Sequence, residues 1–434
     1  MLQNRPLVAV ALLGAALAYL IAVPTAQIFL LGYCFDASIA PSSALTIYGA
    51  AILLGGGFGI GLLRPTAEST RPAIPSNGLT WIAGLLVIAS ILYVAVAVYR
   101  IDARWDSFSL GPSAARFDLI RTRKEVTTSG LLNAVFIGAP ATLVLFVTIF
   151  DGRVRHKTIF RAAAVLAFGA FFYLTALEGG RSPYLLTILM TVSAITFHLL
   201  RGEKLKDLGR LFLLSLIATS ILSFYVAYRE AGSREAETGR TTVEATEKNY
   251  SAYLEGQPTS RPKSISSTVG CFYAAHTPKS IDKIVAKNAD RNLFGFYMMP
   301  NYFKLAATLG IFEDSWISYS DYYDITGLYV GLTGALLIDF SWAGILMAGV
   351  IGFLIGKLVN IALSKNGANS PFYPLATIAP IALALAPLTD MISMAQFQSM
   401  TPWLLLVTIT LVVLSARERR RHRGVAGVAA NAST

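Results

Sequence analysis

The sequence predicts an all-α fold: a polytopic membrane helix bundle of about ten transmembrane helices with a re-entrant or interfacial segment. Three observations predict it. Of the 434 residues, 54% are hydrophobic and 14% charged, where a soluble domain carries about 25% charged residues. Mean hydropathy is +0.57. Uncharged runs of 27 residues between Asp36 and Arg64, 28 between Arg71 and Arg100, 25 between Glu125 and Asp151 and 26 between Asp390 and Arg417 each exceed the about 20 residues that cross a hydrocarbon core. A cytosolic enzyme, a secreted disulfide scaffold and an outer-membrane barrel of short alternating strands are excluded.

Hydropathy places the spans at 6–34, 42–63, 79–99, 129–150, 159–177, 183–200, 210–228, 342–362, 371–389 and 400–416. The first is expected to stay uncleaved, because Pro6–Phe35 is too long for a signal-peptide core and no small-residue cleavage site closes it. Orientation follows from Lys and Arg in short loops. The clusters Arg153, Arg155, Lys157; Arg201, Lys204, Lys206, Arg210; and Arg417, Arg419, Arg420, Arg421, Arg423 all belong on the cytoplasmic side. An even number of spans then leaves both termini there. The chain divides into seven spans over 1–228 with an external loop at 100–128, a large external loop at 229–341, three spans over 342–416, and a basic tail at 417–434.

The external loops retain many cations. In 100–128, Arg100, Arg104, Arg116, Arg121, Arg123 and Lys124 oppose the orienting bias, so they contact a ligand, meet anionic lipid or are simply solvated. Within 229–341, residues 232–268 are polar and 270–310 are richer in aromatics, with an amphipathic stretch around 278–288. Residues 320–340, SDYYDITGLYVGLTGALLIDF, are apolar enough to enter a bilayer, yet only 14 uncharged residues separate Asp324 from Asp339. A full crossing there would make the span count odd and break the charge rule. A re-entrant segment buried against protein avoids both. Gly55/Gly59, Gly57/Gly61 and Gly352/Gly356 are spaced for close helix approach. Cys34 and Cys271 cannot make a disulfide framework, although they fall toward the same side of the membrane.

Chemistry concentrates at the external face. Glu178-Gly179-Gly180-Arg181-Ser182-Pro183 is a tight turn between two spans. Its glycines let backbone approach a ligand, and Arg181 is placed either to fork onto a phosphate or to pair with Glu178. Arg229 leaves the seventh span at the same level, with Arg234 just beyond. Together Arg181 and Arg229 are placed to embrace one diphosphate. Asp324 and Asp339 bracket the re-entrant stretch, and acids at that depth are candidates for function, for helix caps or for partners of the arginines. His276 is the external histidine, a general base or a solvated loop residue. Tyr322, Tyr323, Gly179, Gly180, Arg104 and Arg234 complete the candidate substrate contacts. There is no Walker motif, no DxD and no metal-ligand cluster, so neither cofactor nor metal is expected, and nucleic acid is not an expected partner.

GGRSP after the fifth span, YRE after the seventh, and a large external loop running through DYYDITGLYVGLTGALLIDFSWAG resemble the Wzy-type oligosaccharide repeat-unit polymerases. That family passes through an aromatic, Asp-containing stretch into a DFG..G pattern; here Ser341 and Trp342 depart from it and Gly344 is kept. The resemblance covers about 170–363 and implies a GT-C-like enzyme of the bacterial inner membrane, active on the periplasmic side. It implies transfer of a glycan from undecaprenyl diphosphate to a hydroxyl of an incoming lipid-linked repeat, with Arg181 and Arg229 on the diphosphate and Asp324, Asp339 or His276 as base. The lipid bilayer and a chain-length regulator are the implied partners. Two rivals stand beside it: a glycan ligase, sharing the donor, and a transporter or flippase of lipid-linked oligosaccharide. The near absence of charge inside the span cores weighs against the last.

Overall fold

The computed structural model describes residues 21–27, 43–61, 74–102, 135–177, 189–197, 277–281, 283–287, 297–311, 330–364, 367–386 and 395–431, with a few single positions besides. Every regular element among them is helical. The helices include, in chain order, α1 (Ser43–Gly61), α2 (Ser76–Asp102), α3 (Ala139–Phe150), α4 (Lys157–Leu177), α5 (Pro300–Thr308), α6 (Gly331–Phe340), α7 (Gly344–Leu363), α8 (Tyr373–Ala376), α9 (Ala379–Leu385) and α10 (Ala395–Asn431). Among the described residues, four stretches are long and apolar enough to cross a membrane: Ser76–Asp102, Lys157–Thr175, Gly331–Leu363 and Phe397–Arg421. The expected spans 6–34 and 210–228 lie wholly or largely outside the described residues, 183–200 is described over 189–197, and Cys34 and Cys271 lie outside.

One expected span and the basic tail take a different form. Over 371–389 the chain makes the short helices α8 and α9, because Pro374 and Pro380 can each sit in a first turn but cannot continue a helix from the preceding residues. The basic tail does not begin a new conformation at Arg417. Arg, Glu and Ala are good helix formers, so α10 carries on to Asn431 after its apolar part has ended.

The apolar surface is distributed as lipid would require and water would not. On α2, Trp81, Leu85, Ile88, Leu92 and Tyr99 recur every three, four or seven residues and are exposed, Trp81 by 81%. The opposite face buries Leu86, Ala89, Ser90, Tyr93 and Ala97, which include the smaller side chains. An exposed apolar stripe of this length is unusual on a soluble monomer. Several hydroxyls are satisfied within their own helices: Ser90 donates to the Leu86 carbonyl at 2.7 Å, Thr175 to that of Phe171 at 2.7 Å and Thr410 to that of Leu406 at 2.8 Å.

The chain forms two compact units. One comprises Met1–Leu63, Ala227–Lys357 and Ala382–Ala395; the other comprises Arg64–Val226, Leu358–Ile381 and Gln396–Thr434. In the second, α3 is buried around nearly its whole circumference, as a helix without a polar face must be. Tyr93 and Ala97 of α2 meet Phe171, Phe172 and Leu174 of α4. The contacts advance together along both chains: Thr80 accepts the Arg155 N–H at 3.2 Å just ahead of α4, and further on Tyr93 and Phe171 lie 5.8 Å apart, so α2 and α4 run parallel.

In the first unit, α6 is buried at every position from Gly331 to Asp339. Tyr48 and Ile52 of α1, Ile281, Ile284, Tyr297, Met298, Ala348 and Ala386 surround it, and the Leu332 N–H donates to the Ala386 carbonyl at 2.9 Å. Its helix ends at Ser341, whose φ of 47° and ψ of −145° put an L-residue where glycine is favoured. The Tyr48 hydroxyl donates to the Ser341 carbonyl and holds this corner. Ser341→Gly is expected to stabilise the fold by about 1 kcal/mol, seen as a raised midpoint of thermal unfolding. An unchanged or lowered midpoint would show that the serine side chain contributes more than its backbone angle costs.

Beyond that corner α7 packs on α1 through glycine. A Cβ on Gly352 would lie 2.0 Å from the Ile52 carbonyl oxygen, one on Gly55 2.0 Å from that of Gly349, one on Gly356 2.3 Å from that of Gly56, and one on Gly59 2.2 Å from that of Phe353. Backbone meets backbone with no room for a side chain. The partners advance in step, so α1 and α7 also run parallel.

Candidate functional site

Of the candidate residues, the structure describes Asp339. It sits near the end of α6, wholly buried. Its two carboxyl oxygens accept the backbone N–H groups of Tyr297 at 2.8 Å and Met298 at 2.9 Å. These amides belong to a turn that opens with Gly295 at φ 99° and closes by Met299 N–H donating to the Gly295 carbonyl at 3.0 Å, just before α5. A carboxyl group is the side chain that can take two adjacent amides at once, one per oxygen. The sequence offers Asp339 as a general base. The geometry shows an anchoring role: the side chain is buried and each oxygen holds one backbone amide.

This anchor is testable apart from any activity. Asp339→Asn keeps the shape but replaces one acceptor by an NH2 group, leaving one buried amide unanswered. We expect a local cost of about 2 kcal/mol, read as roughly 30-fold faster hydrogen exchange at the amides of Tyr297 and Met298. Exchange unchanged at both amides would refute the anchoring role.

Arg104, Gly179, Gly180, Arg181, Arg229, Arg234, His276, Tyr322, Tyr323 and Asp324 lie outside the described residues. The elements that lead to several of them are described. α4 begins at Lys157 and rises about 31 Å over its 21 residues, the thickness of a hydrocarbon core. It ends at Leu177, and the motif Glu178-Gly179-Gly180-Arg181 follows directly in sequence. His276 precedes Thr277 and Ser280, both fully buried.

Polar side chains gather at the Lys157 end of the second unit. Arg161 makes a two-pronged ion pair with Asp151, its Nε donating to Oδ1 at 2.6 Å and its Nη2 donating to Oδ2. Arg153 donates to Oδ1 of Asn369 at 2.6 Å and lies over the Phe150 ring at 5.0 Å. The first turns of α2 belong to this end through Thr80 and Arg155. So does the later part of α10, because Gly78 faces Leu414, three residues before Arg417. Two basic clusters, Arg153–Lys157 and Arg417–Arg421, thus share one end. At the other end of α10, Gly138 faces the Ser399 carbonyl, and Trp403 Nε1 donates to the Val135 carbonyl at 2.9 Å.

Sequence reasoning assigned nothing to Tyr48, which proves to tie α1 to the α6–α7 corner. A lone tyrosine within an apolar run is the signal, since a buried phenol needs an acceptor. The chain matches no family model, no curated protein and no solved structure.

Proposed function

We propose that the protein is a bacterial inner-membrane glycosyltransferase that polymerises undecaprenyl-diphosphate-linked oligosaccharide repeats on the periplasmic face. The observation that carries this reading is the pair Arg181 and Arg229 following the fifth and seventh expected spans, within motifs resembling Wzy-type polymerases. In this reaction the acceptor hydroxyl oxygen bonds to the anomeric carbon of the donor, the bond from that carbon to the diphosphate oxygen breaks, and the diphosphate leaves. The two guanidinium groups stabilise the charge that develops on it. The hydroxyl proton passes to Asp324, Asp339 or His276. The donor brings its own leaving group, so no nucleotide is required.

Topology supports the reading in two ways. The sharing of one end by Arg153–Lys157 and Arg417–Arg421 is what a common cytoplasmic side demands, and Leu177 then ends α4 on the opposite side, where the Arg181 motif begins. Parallel α1 and α7 must enter the membrane from the same face, so an odd number of crossings separates them. The five expected spans between them satisfy this. A complete crossing by 320–340 would make six and an antiparallel pair. α6, ten residues or about 15 Å long, covers only half a hydrocarbon core, and its burial on all sides suits a segment that enters without crossing.

The test is complementation. In a host lacking the protein, wild type should restore long glycans, and Arg181→Ala, present at normal level, should leave single repeat units on the lipid carrier or its acceptor. Long chains accumulating on the carrier would identify a ligase. Repeats retained on the cytoplasmic face would identify a flippase.

A further inference from the structure

We propose that the segment from Met299 to Ile311, held by Asp339, lies in the outer membrane interface and seats its exposed apolar side chains among lipid acyl chains. The proposal rests on the membrane reading above but not on glycosyl transfer.

The level of the segment follows from its anchor. Asp339 stands three residues before Trp342 and five before Gly344, where α7 begins. Leu346, Val350 and Leu354 of α7 are exposed at four-residue spacing, Leu346 by 78%, and Trp342 is 47% exposed just ahead of them. A tryptophan at the head of a lipid-facing stripe occupies the position of the aromatic belt. The bonds from Tyr297 and Met298 to Asp339 fix the neighbouring Met299 at that height.

From there α5 runs nine residues, about 14 Å. Gly310, at φ 74°, closes it, and the Ile311 N–H returns to the Ala306 carbonyl at 2.9 Å. In such a helix ending the last apolar residue ordinarily folds back onto the helix. Here Leu309 and Ile311 stay 67% and 62% exposed, and Met299, at the other end of α5, 42%. In water these three would be left bare. At the acyl boundary they are solvated.

The described helical residues 277–281 and 283–287 belong to a second stretch packed on α6. It turns Ile281 and Ile284 into the core around α6, while Lys279, Lys283 and Lys287 recur every fourth residue on a different face.

Spin labels test this in full-length protein reconstituted in phospholipid nanodiscs, with Cys34 and Cys271 replaced by serine. Single cysteines are placed at Leu309, Ile311 and, as reference, Leu346. Labels at Leu309 and Ile311 should collide with oxygen in preference to an aqueous nickel chelate, as the Leu346 label does. Asp339→Asn should shift the first two toward the chelate and leave Leu346 unmoved. Chelate preference at Leu309 and Ile311 with an oxygen-facing Leu346 would overturn this inference alone, whereas chelate preference at Leu346 would overturn the membrane reading itself. Shielding of Leu309 and Ile311 from both reagents would mean that protein covers the face, and would equally overturn the proposal. No response to Asp339→Asn would remove the anchor from it.

Discussion

Gly352→Ala is expected to destabilise the folded protein by about 3 kcal/mol, the upper part of the range for overfilled packing, shifting the unfolding equilibrium by roughly two orders of magnitude. The added methyl would fall 2.0 Å from the Ile52 carbonyl oxygen, and the obstacle is main chain that cannot rotate aside. α1 and α7 must then separate, which also uncovers the contacts at Gly55, Gly56 and Gly356. Gly84→Ala is the matching control. Gly84 is equally mid-helix in α2, but a Cβ there meets nothing within 4 Å, so this change should gain about 0.5–1 kcal/mol from the lost freedom of the unfolded chain. Equilibrium unfolding in mixed detergent micelles compares the two. Equal effects of the two substitutions would show that helix propensity, and not the close approach, decides stability.

Arg181→Ala should lower the rate of repeat addition by about 10²–10³-fold, the loss typical when one preorganised charge-stabilising donor is removed. Arg181→Lys should recover only part of it, because an ammonium keeps the charge but loses the planar fork that meets two phosphate oxygens together. If Arg181 and Arg229 grip the same diphosphate, the double alanine variant should lose less than the product of the two single losses, since residues acting as one unit are not additive. Polymerisation assayed in vitro with purified lipid-linked repeats gives all three rates. Losses that multiply fully would place the two arginines on separate tasks.

Local rules carried much of the helix placement. Runs expected at 42–63, 79–99, 159–177 and 342–362 overlie Ser43–Gly61, Ser76–Asp102, Lys157–Leu177 and Gly344–Leu363, since a long apolar stretch without prolines has one low-energy conformation in a bilayer. The glycine spacing at 55/59 and 352/356 was equally plain as a packing signal. What it did not reveal was that these two pairs face each other, because nothing local encodes a partner almost 300 residues away. The same limit governs Asp339. Its aspartate character suggested chemistry, while the amides that occupy it come from 41 and 42 residues earlier in the chain. The break in the helix within 371–389 was hidden for a different reason: hydropathy averages over Pro374 and Pro380, and the backbone does not. Ser341 holds a further lesson. The position where the resembled pattern has glycine is the one at which the chain adopts a positive φ, so a departure in the motif marks a real demand on the backbone.

The parallel glycine contact also has a bearing on how the protein is made. Roughly 300 residues are translated between the two helices, so at about 5–20 residues per second α1 resides in the bilayer for roughly 15–60 s before α7 leaves the ribosome. Throughout that interval Gly55 and Gly59 line a bare groove, open to the same helix of another nascent chain or to the insertion machinery. Any product cut short before Gly344 would keep that groove uncovered for good.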